Sequence, residues 1–136
     1  MKEIFVEIIT PSKSVYKGQV KSINIPGTLG NFQVLFNHAP LLSTFEIGKI
    51  KLIDINDKEI EYATSGGTVE VNDNKILVLA DSAETSEEID IERAKQAYER
   101  AKKRLSGSKK EDLDVLRAEL ALQRAVNRMK FVNVSI

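Results

Sequence analysis

The chain has 136 residues, with 20 Lys and Arg against 20 Asp and Glu, one His, no Cys and no Trp. A net charge of zero argues against a nucleic-acid binder working through whole-molecule charge. The missing cysteines exclude a disulfide scaffold and thiolate metal sites, and a single histidine excludes any site needing two His ligands. At 42% apolar and 29% charged residues the composition is that of an ordinary soluble domain. No apolar run reaches the ~18 residues of a membrane span, and no signal-peptide core follows Met1.

The zero is a sum of two unlike parts. Residues 1–84 hold 8 Lys and no Arg against 11 acids, a net of −3. Residues 85–136 hold 12 Lys and Arg, including all six arginines, against 9 acids, a net of +3. The three prolines and six of the seven glycines lie in the first part. Two structural regimes follow, with a boundary near 82–87.

In the first part Ile4, Val6 and Ile8 alternate with Glu3, Phe5, Glu7 and Ile9, and Val20 to Ile25 alternates up to Pro26. Further strands are expected at Phe32–Leu35, Lys49–Ile55, Glu59–Thr64, Thr68–Val71 and Lys75–Ala80, with turns at Pro26-Gly27, Asn56-Asp57, Gly66-Gly67 and Asp73-Asn74. Asn and Asp tolerate the positive φ that tight hairpins demand, so the strands should meander antiparallel. Many short strands with frequent turns indicate a sandwich or flattened barrel.

From Thr85 onward there is no proline and one glycine, Gly107, between Ser106 and Ser108. This predicts two helices with a connector near 106–110. Thr85 with Glu88, and Ser108 with Glu111, match the spacing of a helix-capping box. The helices repeat at an offset of 24: Asp90, Arg93, Ala94, Ala97, Arg100, Ala101 and Arg104 recur as Asp114, Arg117, Ala118, Ala121, Arg124, Ala125 and Arg128. Val115, Ala118, Leu122, Ala125, Met129 and Val132 form a heptad seam, and Ala94, Ala97, Tyr98, Ala101 and Leu105 a comparable stripe. An Ala-rich seam permits close approach but buries little apolar area, so the hairpin should be weakly self-stable.

Arg93, Arg100 and Arg104 follow i, i+7, i+11, as do Arg117, Arg124 and Arg128, so each helix carries one Arg face. A solvated face of good helix formers explains any one of them. Six guanidiniums on a marginal hairpin also suit an anion, either a polyphosphate or an acidic partner surface. No nucleophile motif or P-loop is present. PGTLG (26–30) reads as a turn between strands, His38 as a loop residue hydrogen-bonded at a turn, and Asp90 and Asp114 as first-turn carboxylates favoured by the helix dipole.

Three stretches, PGTLGNFQVLFNHAPLL (26–42), SGGTVEVNDNKILVLAD (65–81) and the IDIERA…RAELALQRAVNR hairpin, together resemble the epsilon subunit of bacterial F-type ATP synthases. The resemblance covers essentially the whole chain. It implies an α+β protein: a ten-stranded antiparallel β-sandwich over 1–84 and a two-helix regulatory hairpin over 85–136. It also implies a non-catalytic rotor part of the central stalk, with the sandwich joining the gamma subunit and the c-ring and the complex coupling proton or sodium flow to ATP synthesis. Membrane association is then indirect, through partners at the cytoplasmic face. Asn31 and His38 are the implied c-ring contacts, although relatives often carry an acid where Asn31 stands.

The same resemblance implies that the hairpin restrains ATP hydrolysis, its basic residues meeting an acidic segment of beta in the alpha-beta head. It further implies ATP as a regulatory ligand of the compact hairpin, with or without Mg, through Glu84, Ile89, Asp90, Arg93, Ala94, Arg100, Arg124 and Arg128. No cofactor or metal is otherwise required. Two other readings stand beside it, a purely structural rotor piece and an adaptor whose Arg-rich hairpin binds nucleic acid. Against the second, the −3 sandwich and scarce helix aromatics leave little for base stacking.

Overall fold

Strand-period alternation becomes sheet through most of the first 85 residues. The computed structural model describes residues 2–107 and 112–133 and divides into two units, Met1–Thr85 and Ser86–Ile136. Among the described residues the first unit has nine strands: β1 (Ile4–Ile9), β2 (Ser14–Gly27), β3 (Gly30–Val34), β4 (Leu41–Phe45), β5 (Gly48–Asp54), β6 (Glu59–Thr64), β7 (Gly67–Asn72), β8 (Lys75–Ala80) and β9 (Ala83–Glu84). The resemblance implies ten. One 14-residue strand, β2, pairs with β1 through its first half and with β3 and β5 through its second, so a single strand serves both layers.

The strands run β1-β8-β7-β4-β2-β5-β6-β9, with β3 on β2 and β1 returning to β2. Every pair is antiparallel except β1–β8, which is parallel. That pairing joins the first strand of the chain to the eighth across a long stretch of sequence, where no hairpin turn fixes direction. Between the layers Ile4, Val6, Ile8, Ile23, Ile50, Leu52, Val69 and Val78 are wholly buried. Each contributes roughly 1.5–3 kcal/mol by leaving water.

The turns do what their residues allow. Asp73 and Asn74 both take positive φ (50° and 59°) in a two-residue hairpin between the paired Asn72 and Lys75. At the β5–β6 turn only Asp57 is positive (63°), and Asp54 Oδ1 accepts from the backbone N–H groups of Asn56 and Lys58. Three segments absent from the sequence expectation are strand: β4, the first half of β2 and the two-residue β9. β4 carries Leu42 outward and Ser43 at the opposite face, which inverts the usual alternation. The first half of β2, Ser14–Gln19, is mostly half-buried or exposed and so lacks an apolar period.

The second unit holds α1 (Ile91–Leu105) and α2 (Asp112–Phe131), packed on each other. The helix starts at Ile91 rather than after Thr85. Asp90, extended at φ −81° and ψ 104°, is the N-cap, and its Oδ1 accepts from Arg93 N–H at 3.0 Å. Ile89 just before it is buried, whereas Ser86, Glu87 and Glu88 are exposed, so an earlier turn would bury nothing. The Ser108–Glu111 match lies outside the described residues. Ala94 and Ala101 of α1, and Ala118, Ala125 and Met129 of α2, are buried; Val115, Leu122 and Val132 of the expected seam are half-buried.

Candidate functional site

Each arginine of interest immediately precedes a buried alanine or Met129: Arg93 before Ala94, Arg100 before Ala101, Arg117 before Ala118, Arg124 before Ala125, Arg128 before Met129. One residue is 100° of helix, so each Arg row stands about 100° from its seam. The helices run antiparallel, which reverses both the facing direction and the sense of rotation. The two reversals cancel, and both Arg rows lie on the same side of the hairpin.

Axial level divides the row. α1 ends and α2 begins at the connector, so Arg93, twelve residues before the end of α1, is level with Arg124, twelve after the start of α2. Arg128 lies one turn farther from the connector, about 6 Å, and Arg100 seven residues nearer it, about 10 Å. Arg93 and Arg100 are exposed; Arg124 and Arg128 are half-buried. The geometry thus brings three of the four sequence candidates, Arg93, Arg124 and Arg128, within about one helical turn of axial level, with Arg100 a second station. Such a cluster accepts several phosphate oxygens by charge-assisted, bidentate bonds.

The other candidates have structural roles. Ile89 is buried and Asp90 caps, at the N′ and N-cap positions, and Ala94 lies in the seam, so of the four named residues in Ile89-Asp90-x-x-Arg93-Ala94 Arg93 is the one whose exposed side chain has neither task. Glu84 belongs to the other unit, half-buried on β9 opposite Ala63. Lys102 Nζ sits 5.7 Å from the Tyr98 ring centroid, which occupies that ring with a cation. Among the described residues no group of three or more His, Cys, Asp or Glu could hold a metal ion.

Asn31 and His38 are not brought together. Asn31 is exposed at the start of β3 opposite Pro26, beside the Thr28-Leu29 turn. His38 follows the other end of β3, its N–H on the Leu35 carbonyl, four residues or about 13 Å along extended chain. His38 Nδ1 donates to the Ala39 carbonyl at 2.7 Å. The loop is tied to the β7–β8 turn: Asn37 N–H donates to Asn74 Oδ1 at 2.6 Å and Asn74 Nδ2 to Asn37 Oδ1 at 3.3 Å. Asn24, close to Asn31, belongs to no motif, and Leu29 is a position of PGTLG with no role assigned from sequence. The signal that finds them is a run without charged residues.

Residues 3–86 match the family described as ATP synthase, Delta/Epsilon chain, beta-sandwich domain, and residues 87–133 match its long alpha-helix domain. The chain belongs to the ATP synthase epsilon family. The ATP synthase epsilon chain of Desulfitobacterium hafniense (strain Y51) is 48% identical over 101 residues, 74% of this chain and 76% of that one. That of Nitratidesulfovibrio vulgaris (strain DP4) is 46% identical over 110 residues, 81% of each. A chain in the cryo-EM structure of Euglena gracilis mitochondrial ATP synthase, OSCP/F1/c-ring in rotational state 1, superposes with a TM-score of 0.80 at 23% identity, over 92% of this chain and 78% of that one. At that identity the likeness speaks for fold.

As an epsilon-type chain it is a non-catalytic, central-stalk subunit of ATP synthase. No helix among its described residues is long and apolar enough to cross a membrane. A family member of this kind needs surfaces, and the molecule offers two of opposite character: the sandwich, without arginine, and the Arg-lined side of the hairpin.

Proposed function

We propose that this epsilon-type chain is a rotor element. Its sandwich joins gamma and the c-ring at the cytoplasmic face of the cell membrane, and its hairpin restrains ATP hydrolysis under the control of ATP. On the outer face of β1-β8-β7-β4, Leu42 and Leu79 are exposed and Phe5, Ile9 and Leu77 are half-buried, interrupted by Glu7 and Glu70. An apolar patch of this kind suits a permanent protein partner, and gamma is the one we assign to it. The complex couples proton or sodium flow to synthesis, and the chain contributes no catalytic group.

The observation that carries the regulatory half is the one-sided Arg arrangement, with Arg93 level with Arg124 and one turn from Arg128. Closing the hairpin holds like charges together at a cost that a polyphosphate removes, so ATP favours the closed form by its differential affinity. An acidic segment of beta competes for the same guanidiniums when the hairpin opens. Where Mg accompanies ATP, phosphate oxygens hold it.

Calorimetric titration of the full chain with ATP, beside Arg93→Ala and Arg124→Ala variants, tests this reading. Saturable heat in the unaltered chain, lost at least about tenfold in affinity in either variant, supports it. No heat and no thermal shift at millimolar ATP overturns the sensor and leaves a structural rotor subunit. Hydrolysis by the assembled enzyme, with the full chain and with one ending at Ser82, tests restraint by the hairpin separately.

A further inference from the structure

Two segments connect β6 and β9, at one end of the strand order, with β7 and β8: residues 64–67 lead from β6 into β7, and residues 80–83 from β8 into β9. Hydrogen bonds tie the two crossings together. Asp81 N–H donates to the Gly66 carbonyl at 2.8 Å, the Thr64 hydroxyl donates to the Ser82 carbonyl at 2.8 Å, and the Ser65 and Ser82 hydroxyls are 2.7 Å apart.

The first crossing is preformed. Gly66 stands at φ +110°, where a Cβ would lie 3.0 Å from the Phe45 carbonyl oxygen, and its N–H donates to Thr64 Oγ1 at 3.2 Å. Thr64 is buried. Its hydroxyl accepts within its own turn and donates across to Ser82, which makes that turn a grip.

The gripped segment is small. β9 is two residues long, ends the strand order and pairs with β6 alone among the described residues. Ala83 is the only apolar side chain of residues 81–84, and burying its methyl returns far less than burying Ile76 and Val78, which anchor β8. Segments with the least buried apolar surface open first.

The position of β9 sets where the linker to α1 begins. With β9 in place, residues 85–89 span from the sheet to the Asp90 cap. With β9 released the span is residues 81–89, and the anchor moves back from Glu84 to Ala80. Four more residues add at most about 14 Å of reach.

We infer that Thr64, Ser65 and Ser82 form a clasp that holds β9 as a strap, and that releasing the strap lengthens the tether of the helical hairpin. The inference rests on the regulatory reading. The long tether belongs to the open hairpin that restrains hydrolysis, and the clasped strap to the closed one.

Hydrogen exchange of the full chain tests the strap. Amides of residues 81–84 are expected to exchange at least about tenfold faster than those of β8, and Ser82→Ala, which removes only the hydroxyl contact, to speed them by a further factor of about three with β8 unchanged. Thr64→Val, which removes the donor to the Ser82 carbonyl, has the larger effect if it folds. Protection of residues 81–84 equal to that of β8, or unchanged exchange in Ser82→Ala, overturns the strap.

A reversible lock tests the tether in the assembled enzyme. The chain has no cysteine, so Ser65→Cys with Ser82→Cys gives a single pair, placed where oxygens 2.7 Å apart now meet. A disulfide needs about 2.05 Å between sulfurs. Oxidised with diamide before assembly, this chain is expected to lose its restraint on ATP hydrolysis, the rate rising at least about threefold toward that with a chain ending at Ser82, and dithiothreitol to bring the restraint back. The unaltered chain, treated identically, is the control. Equal restraint in the oxidised and reduced forms overturns the tether, and two thiols that stay free under diamide overturn the clasp. Equal hydrolysis with the unaltered full chain and with the chain ending at Ser82 overturns instead the regulatory reading.

Discussion

Asp90 accepts a hydrogen bond from the backbone N–H of Arg93 at 3.0 Å, so the carboxylate and the guanidinium of one short motif have different jobs. The carboxylate closes the helix start. The guanidinium is left to the solvent side, level with Arg124 and one turn from Arg128. A sequence comparison that scores Asp90 and Arg93 together as ligand residues therefore mixes a cap with a binding group.

Removing the cap should loosen the hairpin without touching the arginines. Asp90→Ala is expected to cost about 1 kcal/mol of hairpin stability, and Asp90→Asn to restore most of it, since an amide oxygen caps nearly as well. The loss of negative charge at the helix N-terminus leaves a residual deficit of roughly 0.3–1 kcal/mol. Thermal melts followed by helical circular dichroism measure both. A folded Asp90→Asn chain with near-native melting but abolished ATP binding would mean that the carboxylate itself meets the ligand.

The seam sets how closely the helices approach. Ala118 and Ala125 are wholly buried, at 0% and 1% exposure, and leave no room for added methylenes. Ala118→Leu is expected to cost about 1–3 kcal/mol by overpacking and to speed amide hydrogen exchange through α1 and α2, with the sandwich amides unchanged. Equal acceleration in both units would show that they unfold as one.

At Gly66-Gly67 the backbone leaves no choice of residue. Gly67 has φ +156°, and a Cβ there would lie 2.0 Å from the Leu79 carbonyl oxygen, across the pair that joins β7 to β8. Relief requires the two strands to part at Gly67 and Ala80. Gly67→Ala is expected to lose at least about 2 kcal/mol, read as a lower urea midpoint for the sandwich signal. An unchanged midpoint would mean that the local backbone can rotate away.

The sequence made most of the sheet readable because buried Ile4, Val6, Ile8, Val69 and Val78 alternate with exposed or half-buried neighbours. It hid β4, where Leu42 faces solvent and Ser43 does not, because the outward leucine serves a surface and breaks the period that marks a strand. The parallel β1–β8 pair was not legible, since nothing local records which distant strand closes the layer. Arg periodicity on each helix was plain. That the two rows share a side follows only once the buried alanines fix the seam, and the cap moved from Thr85 to Asp90 because two residue patterns competed and burial of Ile89 decided between them.

Alkaline pH offers a probe of the sandwich through one phenol. Tyr16 lies on β2 opposite Ile8, half-buried, and burial, reinforced by the charge of Asp54, raises its pKa above the usual value of 10.0. The neutral phenol is the form the fold prefers. Once pH exceeds the unfolded value, the unfolded chain loses its proton first and binds fewer protons than the native one, so stability falls with rising pH until the folded tyrosine also ionises. Below about pH 10 the contribution is fully present. Melting temperatures of the full chain between about pH 9 and about pH 12 should fall, and Tyr16→Phe, which keeps the ring and cannot ionise, should fall less steeply over the same window. Parallel curves for the two chains would assign the alkaline loss to the other tyrosines and the lysines and remove Tyr16 from the account.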